Sequence, residues 1–81
     1  MGNVTSNAKA IAEQGESIYR DKYQKEFEAN HRGRFAAIEV VTGKVYLADS
    51  PEGAVEDGRR NSPNGLFHLI KVGAPGAYRA S

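Results

Sequence analysis

The sequence predicts an α+β fold with its elements in the order α-β-β-α-β. Three features carry this prediction: an aromatic stripe at helical spacing, two β-rich runs joined by Thr42-Gly43, and a short second helix before a final apolar strand. A right-handed crossover after the hairpin would run the third strand parallel to the second, beside either strand of the hairpin. We therefore expect a three-stranded mixed sheet packed with two helices.

The first helix is predicted from Glu16 to Asn30, because apolar residues recur on one side and charged residues occupy much of the rest. The apolar side consists of Ile18, Tyr19, Tyr23 and Phe27. Before it, residues 1–15 are expected to be loose, with a short helical piece around 7–14, because Gly15 costs about 1 kcal/mol relative to alanine inside a helix. Gly33 is expected to end the helix, since glycine tolerates the left-handed conformation.

The hairpin is predicted from the runs 34–41 and 44–48. Its Gly-Lys pair does not form a phosphate-binding loop, because the first glycine and the hydroxyl residue of that motif are missing and a strand follows instead of a helix. We expect a three-residue turn, 41–43, with Gly43 left-handed. That turn would place Glu39 opposite Val45 and Ile38 opposite Tyr46, with Val40 flanking Lys44.

A second helix is predicted from Pro51 to Arg60, with Asp49 or Ser50 capping its first N–H groups. The last strand is predicted from Leu66 to Val72, and residues 74–81 are expected to form a tail. Residues 16–73 would thus form a single α+β domain.

Both faces of the predicted sheet are apolar, and such strands are normally covered on both sides. The second helix offers only Ala54, Val55 and Gly58 as an apolar face. This apolar face is too small to cover both faces of the sheet. Either the aromatic first helix or another subunit must bury the remainder.

The composition excludes several classes of function. The 81 residues form one domain with a formal net charge of +1, so no overall field attracts nucleic acid or an anionic membrane. There is no cysteine and there are only two histidines, so we expect no metal, no cofactor and a reducing cytoplasm. No apolar run approaches the roughly 20 residues of a membrane span. A membrane partner is therefore not expected, and nucleic acid is an unlikely partner.

Two groups of residues are candidates for binding. Basic residues after the first and second helices would form an anion or partner site if the fold brought them together: His31, Arg32, Arg34, Arg59 and Arg60. Aromatic residues would form an interface if they were not needed in the core: Tyr19, Tyr23, Phe27 and Tyr46.

Catalytic chemistry has weaker support. His68 lies within the last strand, where a lone histidine is usually a packed side chain, and a hydrolytic site would need a carboxylate beside it in one pocket. Glu39 and Asp49 could act as a carboxylate pair only if the fold fixed the distance between them. The position of Asp49 is already explained by helix capping. We expect no enzyme activity and no catalytic residue.

Several residues between 18 and 73 follow a recurrent pattern. A Gly-Arg-Phe step at 33–35 precedes Ile38, Thr42-Gly43 forms the turn, Asp49 and Ala54 mark the second helix, and Phe67, Leu69, Val72 and Gly73 end the domain. In this the chain resembles a group of short bacterial and archaeal proteins that form a domain of unknown function. Members of the group often lie beside aspartyl-protease-like proteins. The resemblance implies an antitoxin-like, partner-binding role and supplies no catalytic residue.

Taken together, the sequence predicts a non-enzymatic protein–protein interaction module that binds a protein partner or forms a homo-oligomer. The alternative is a nucleic-acid or anion binder that uses the basic residues His31–Arg34 and Arg59–Arg60.

Overall fold

The computed structural model describes residues 8–74 as three helical segments followed by a sheet and one further helix. Helix α1 is Ala8–Ile18, a π-helical turn is Tyr19–Tyr23, and helix α2 is Gln24–Asn30. Strands β1 (Phe35–Glu39) and β2 (Val45–Ala48) precede helix α3 (Pro51–Asn61) and strand β3 (Phe67–Lys71). The α+β class agrees with the sequence prediction, and α3 begins at the predicted Pro51 and ends one residue later than predicted. Residues 75–81 of the expected tail and the first seven residues lie outside the described residues.

The sheet has the strand order β2-β1-β3 and is antiparallel at both pairings. The predicted mixed sheet is therefore wrong. The third strand does run in the same direction as β2, as a right-handed crossover requires, but β1 lies between them. Pairing with β1 makes every neighbouring pair antiparallel.

The register of the hairpin differs by one residue from the prediction. Ile38 lies opposite Val45 and Ala36 opposite Leu47, and the turn takes four residues, 40–43. The Gly43 N–H donates to the Glu39 carbonyl at 2.8 Å, and Gly43 has a φ of +82°, so its predicted left-handed conformation is confirmed. A shift of one residue moves a strand's side chains to the other face, and this register matches apolar residues on one face.

Helical structure continues through Gly15, contrary to the predicted break, so the expected loose segment 1–15 is helical from Ala8 onward. The reason is packing: a Cβ at Gly15 would lie 2.7 Å from the Cγ of His68 on β3. Only glycine lets the α1 backbone approach the sheet this closely, and this contact outweighs the low helix propensity of glycine.

Two helical layers cover opposite faces of the sheet. The N-terminal layer, formed by α1, the π-helical turn and α2, contributes Tyr19 and Phe27 to a core cluster with Ile38 and other strand residues. The rest of the buried cluster is Ala36, Ile70 and Val72, with Ile18, Tyr23, Val45 and Leu47 packed against it. The aromatic first helix therefore supplies the cover that α3 alone could not.

Helix α3 packs on the face that carries Phe35, Ala37 and Glu39, and its small residues allow a close approach. Ala54 is fully buried, and a Cβ at Gly58 would lie 2.8 Å from the Cζ of Phe67. Ser50 is the N-cap, because its hydroxyl accepts the Gly53 N–H at 3.0 Å. Within residues 8–74, no helix is long and apolar enough to cross a membrane.

The two layers are offset across the sheet. Helix α3 lies mainly over β1 and β2, whereas α1 lies mainly over β3. As a result Val45 and Leu47, which face the N-terminal layer from β2, are only partly buried.

Candidate functional site

A cavity of about 160 Å³ lies between the N-terminal layer and the end of β3. The π-helical turn forms part of its wall: the Gln24 N–H bonds to the Tyr19 carbonyl five residues earlier, so the turn is wider than an α-helical one. Such turns occur frequently at functional sites. The lining residues are Glu16, Tyr19, Arg20, Gln24, Glu28, Ile70, Lys71, Gly73 and Ala74.

Tyr19 is the least satisfied polar residue of this region. Its side chain is 5% exposed, and its enclosed hydroxyl has no hydrogen-bond partner in the described part of the chain. Burial raises the pKa of Tyr19, and the carboxylates of Glu28 and Glu16 raise it further, while Arg32 opposes them. The hydroxyl is thus protonated and lies in a negative local field. An unpaired buried hydroxyl costs roughly 1–3 kcal/mol.

The two carboxylates of the cavity are each held by one neighbour. Glu16 Oε2 lies 2.9 Å from His68 Nε2, and Glu28 Oε2 accepts a hydrogen bond from Gln24 Nε2 at 3.0 Å. Each carboxylate has lone pairs beyond those used in these contacts. Further acceptor capacity therefore remains on both.

His68 has an acidic neighbour, Glu16, as a hydrolytic site would require. However, His68 is buried against the α1 backbone at Gly15 and is not among the residues that line the cavity. The contact with Glu16 fixes the orientation of the imidazole. It joins α1 to β3.

The predicted basic residues do not converge. Arg34 lies just before β1 and pairs with Asp49 at 3.0 Å. The Arg59 guanidinium lies 5.9 Å from the ring centroid of Phe67, and Phe67 pairs with Glu39, the last residue of β1. The length of β1, roughly 13 Å, separates the two groups. Arg60 pairs with Asp57 on its own helix, and Arg32 packs across Gly73. His31 stacks edge-on to Phe27, so the five residues are divided between opposite ends of the sheet.

The predicted interface aromatics lie at different depths. Tyr19 and Phe27 are buried, with ring centroids 6.1 Å apart. Tyr23 is half-buried, and its hydroxyl donates to the Gly43 carbonyl at 3.1 Å. Tyr46 is half-buried on the other face, against Phe67. The aromatic stripe is therefore core over most of its length, and Tyr46 lies at the β2 edge.

Glu39 and Asp49 do not form a carboxylate pair. Glu39 is 2% exposed, and its two oxygens accept the backbone N–H groups of Thr42 and Leu66 at 2.8 and 2.9 Å. Burial raises the pKa of Glu39, but these hydrogen bonds outweigh it and hold the pKa below its ordinary value. Glu39 joins the hairpin turn to the segment before β3, while Asp49 is exposed at the opposite end of β1.

Sequence reasoning missed the cavity residues Glu16, Gln24 and Glu28. Together with Arg20 they recur every four residues beside the aromatic stripe, and this second, polar stripe was the available signal. In the described part of the chain, no group of three or more His, Cys, Asp or Glu residues is arranged to hold a metal ion. The polar residues that line the cavity are therefore two separate carboxylates, the Gln24 amide and the basic residues Arg20 and Lys71.

Comparisons with known protein families, with curated proteins and with solved structures found no match for this chain. The resemblance to short bacterial and archaeal proteins stays a prediction, and the candidate sites rest on the geometry described above.

Proposed function

We propose that this chain is a non-enzymatic protein–protein interaction module that self-associates through the outer edge of β2. The observation that carries the proposal is an edge strand whose outer hydrogen-bonding groups and apolar side chains are incompletely covered. The proposed setting is the cytoplasm, in keeping with a sequence that contains no cysteine.

The outer edge of β2 follows from the ladder. The Glu39 N–H donates to the Lys44 carbonyl at 2.8 Å, so Lys44, Tyr46 and Ala48 direct their backbone groups toward β1. The backbone groups of Val45 and Leu47 therefore point outward, where the described residues contribute no further strand. An edge of this kind is a template for pairing with another strand.

A second copy of the chain fits this edge because the sequence of β2 is nearly symmetric about Tyr46. If two β2 strands paired antiparallel with Tyr46 opposite Tyr46, each Val45 would lie opposite a Leu47 of the other copy. The partly buried Val45 and Leu47 would then gain cover on the side that α1 leaves open. Four-residue strands bury a small area, so the expected association is weak.

Analytical ultracentrifugation at micromolar to submillimolar concentration tests the proposal. We expect a reversible monomer–dimer equilibrium for the intact chain. Val45→Pro should shift it to monomer, since proline at the first residue of an edge strand removes an outward N–H and leaves the β1 ladder intact. Lys44→Ala is the matched control, because its backbone points inward, and it should associate like the wild type.

Circular dichroism and thermal unfolding establish that each variant is folded. Should Val45→Pro not fold, Val45→Glu would replace it, because in the proposed register it places a carboxylate opposite the apolar Leu47 of the other copy. A strictly monomeric wild type at the highest concentration would reject the proposal. A dimer that tolerates both changes at Val45 would also reject it.

A further inference from the structure

We propose that the chain after β3 folds back along the outer edge of that strand and places the Tyr78 ring on the β3 corner of the sheet, formed by Phe35, Leu69 and Lys71. Two features of the described residues support this: helix α3 does not reach the corner, and a turn after β3 directs the chain back toward it. The occupant is a segment of the same chain, residues 75–81, which lies outside the described residues.

The β3 corner exists because α3 crosses its face of the sheet diagonally. Near its start, Gly53 lies against Ala48 on β2, and near its end, Gly58 lies against Phe67 on β3. The first contact is level with the start of β1 and the second with its end. The part of this face at the start of β1 and the end of β3 therefore lies beyond α3.

The side chains of the β3 corner are apolar at the centre and charged at the rim. Phe35 pairs with Lys71 and Ala37 pairs with Leu69, so all four lie on the α3 face. Phe35 and Leu69 are half-buried, while Lys71 is exposed and its ammonium lies 5.8 Å from the Phe35 ring centroid. A tyrosine suits this surface, because its ring covers apolar side chains while its hydroxyl stays at the rim.

The turn after β3 sets the direction of the chain that follows. The Ala74 N–H donates to the Lys71 carbonyl at 3.2 Å, and Gly73 has a φ of +88°, as the third residue of a type II turn requires. The Val72 N–H donates to the Arg34 carbonyl, so the backbone groups of Lys71 point away from β1. The chain therefore reverses on the outer side of β3 and is directed back along that strand.

The sequence of the segment supplies one aromatic side chain within reach. Tyr78 is four residues beyond Ala74, and its neighbours between 75 and 81 are proline, glycine, alanine, arginine and serine. Four extended residues span at most about 14 Å, twice the roughly 7 Å between alternate residues of a strand. The ring can therefore reach Leu69 from the turn.

This contact would close the outer edge of β3 to other strands. The backbone groups of Phe67 and Leu69 point outward there, and an edge of this kind is a template for pairing. With both edges open, β2 of one copy could pair with β3 of the next, and such a contact forms open chains of molecules. A closed β3 edge limits association to pairs, a consequence that rests on the proposed self-association through β2.

NMR of the full-length chain, at a concentration where it is monomeric, tests the contact. We expect nuclear Overhauser effects between the Tyr78 ring and the Leu69 methyl groups, with these methyl resonances shifted upfield by the ring. Tyr78→Ala should abolish the upfield shift, and Arg79→Ala, a change at the next residue, should keep it. The proposal is overturned if Tyr78→Ala leaves the Leu69 methyl resonances unchanged. It is also overturned if Tyr78→Ala instead moves the resonances of Glu16 and Gln24, which line the cavity on the other face.

Analytical ultracentrifugation tests the closed edge. Tyr78→Ala should form species larger than a dimer at concentrations where the wild type stops at the dimer, and adding Val45→Pro should abolish them by blocking β2. A Tyr78→Ala variant that stops at the dimer would overturn the closure of the β3 edge. If the wild type is monomeric at every concentration, self-association through β2 is rejected, while the contact between Tyr78 and Leu69 is decided by the NMR result alone.

Discussion

The two faces of the sheet are closed in different ways, and the difference indicates where binding is to be expected. On the α3 face the contacts are close and the polar groups are satisfied: Gly58 lies against Phe67, and the buried Glu39 carboxylate accepts two backbone N–H groups. On the face of the N-terminal layer, larger side chains meet across a π-helical turn. They leave a cavity and an unpaired hydroxyl at Tyr19.

This contrast has a physical basis. A face built on small residues brings backbone against side chains and leaves little space, whereas a face built on aromatic residues packs by ring edges and leaves gaps. Buried polar groups in native proteins are nearly always paired, so an unpaired one calls for an explanation. The N-terminal layer therefore holds the candidate ligand site, and the α3 layer holds the structure together.

The largest expected effect is on the α3 face. Glu39→Ala leaves the N–H groups of Thr42 and Leu66 without their acceptor, and we expect it to lower the free energy of unfolding by roughly 3 kcal/mol. Urea denaturation at neutral pH measures the loss, and Glu56→Ala, an exposed change on α3, is the control. A loss equal to that of the control would show that the stability of the α3 face does not depend on the Glu39 carboxylate.

The same residue predicts a pH dependence. The folded pKa of Glu39 lies below its ordinary value of 4.5, so the unfolded chain binds more protons as the pH falls below 4.5. The stabilisation by Glu39 is complete above that pH and is lost as the pH falls through the folded pKa. The difference in unfolding free energy between the wild type and Glu39→Gln should therefore shrink in acid, and a constant difference would contradict this assignment.

A second comparison uses one glycine from each layer. An added Cβ at Gly15 meets the Cβ and Cγ of His68, which are held by the strand, whereas one at Gly58 meets the outer ring atoms of Phe67. Overpacking costs roughly 1–3 kcal/mol, whereas alanine in place of a glycine within a helix stabilises the helix by about 1 kcal/mol. Gly15→Ala should therefore destabilise by roughly 1–2 kcal/mol, and Gly58→Ala by clearly less because the ring can rotate.

Thermal unfolding of the two variants under identical conditions measures this order. Gly58→Ala serves as the control for the effect of alanine on helix propensity, since both glycines are within helices. The reverse order would mean that the contact between α1 and β3 is looser than the contact between α3 and Phe67.

Much of the fold could be predicted because it depends on local patterns. The start of α3 follows from Pro51 and the capping residue before it, and the left-handed Gly43 follows from the turn. The register and the course of α1 could not be predicted, because contacts between distant residues decide them. Glu39 reaches Leu66, and Gly15 reaches His68.

The cavity could be predicted only in part: the polar stripe that lines it is visible in the sequence, but the π-helical turn and the contact with β3 are not. The π-helical turn changes which residues of the helix share a side, so regular helical spacing does not place Glu16 and Glu28 around Tyr19. The prediction that the basic residues converge was wrong for the opposite reason. They are close to helix ends in the sequence, but β1 separates them in the fold.

The smallest expected effect compares two tyrosines of the N-terminal layer and differs in sign. Tyr23→Phe removes a hydrogen bond to the Gly43 carbonyl and should destabilise by about 1 kcal/mol, whereas Tyr19→Phe removes a buried hydroxyl that has no partner and should stabilise by about 0.5–1 kcal/mol. Urea denaturation of the wild type and the two variants measures both effects. Because the ring is kept in each case, the hydroxyl alone accounts for the difference. A destabilised Tyr19→Phe would mean that the hydroxyl is already hydrogen-bonded, and the two faces of the sheet would no longer differ in the way described.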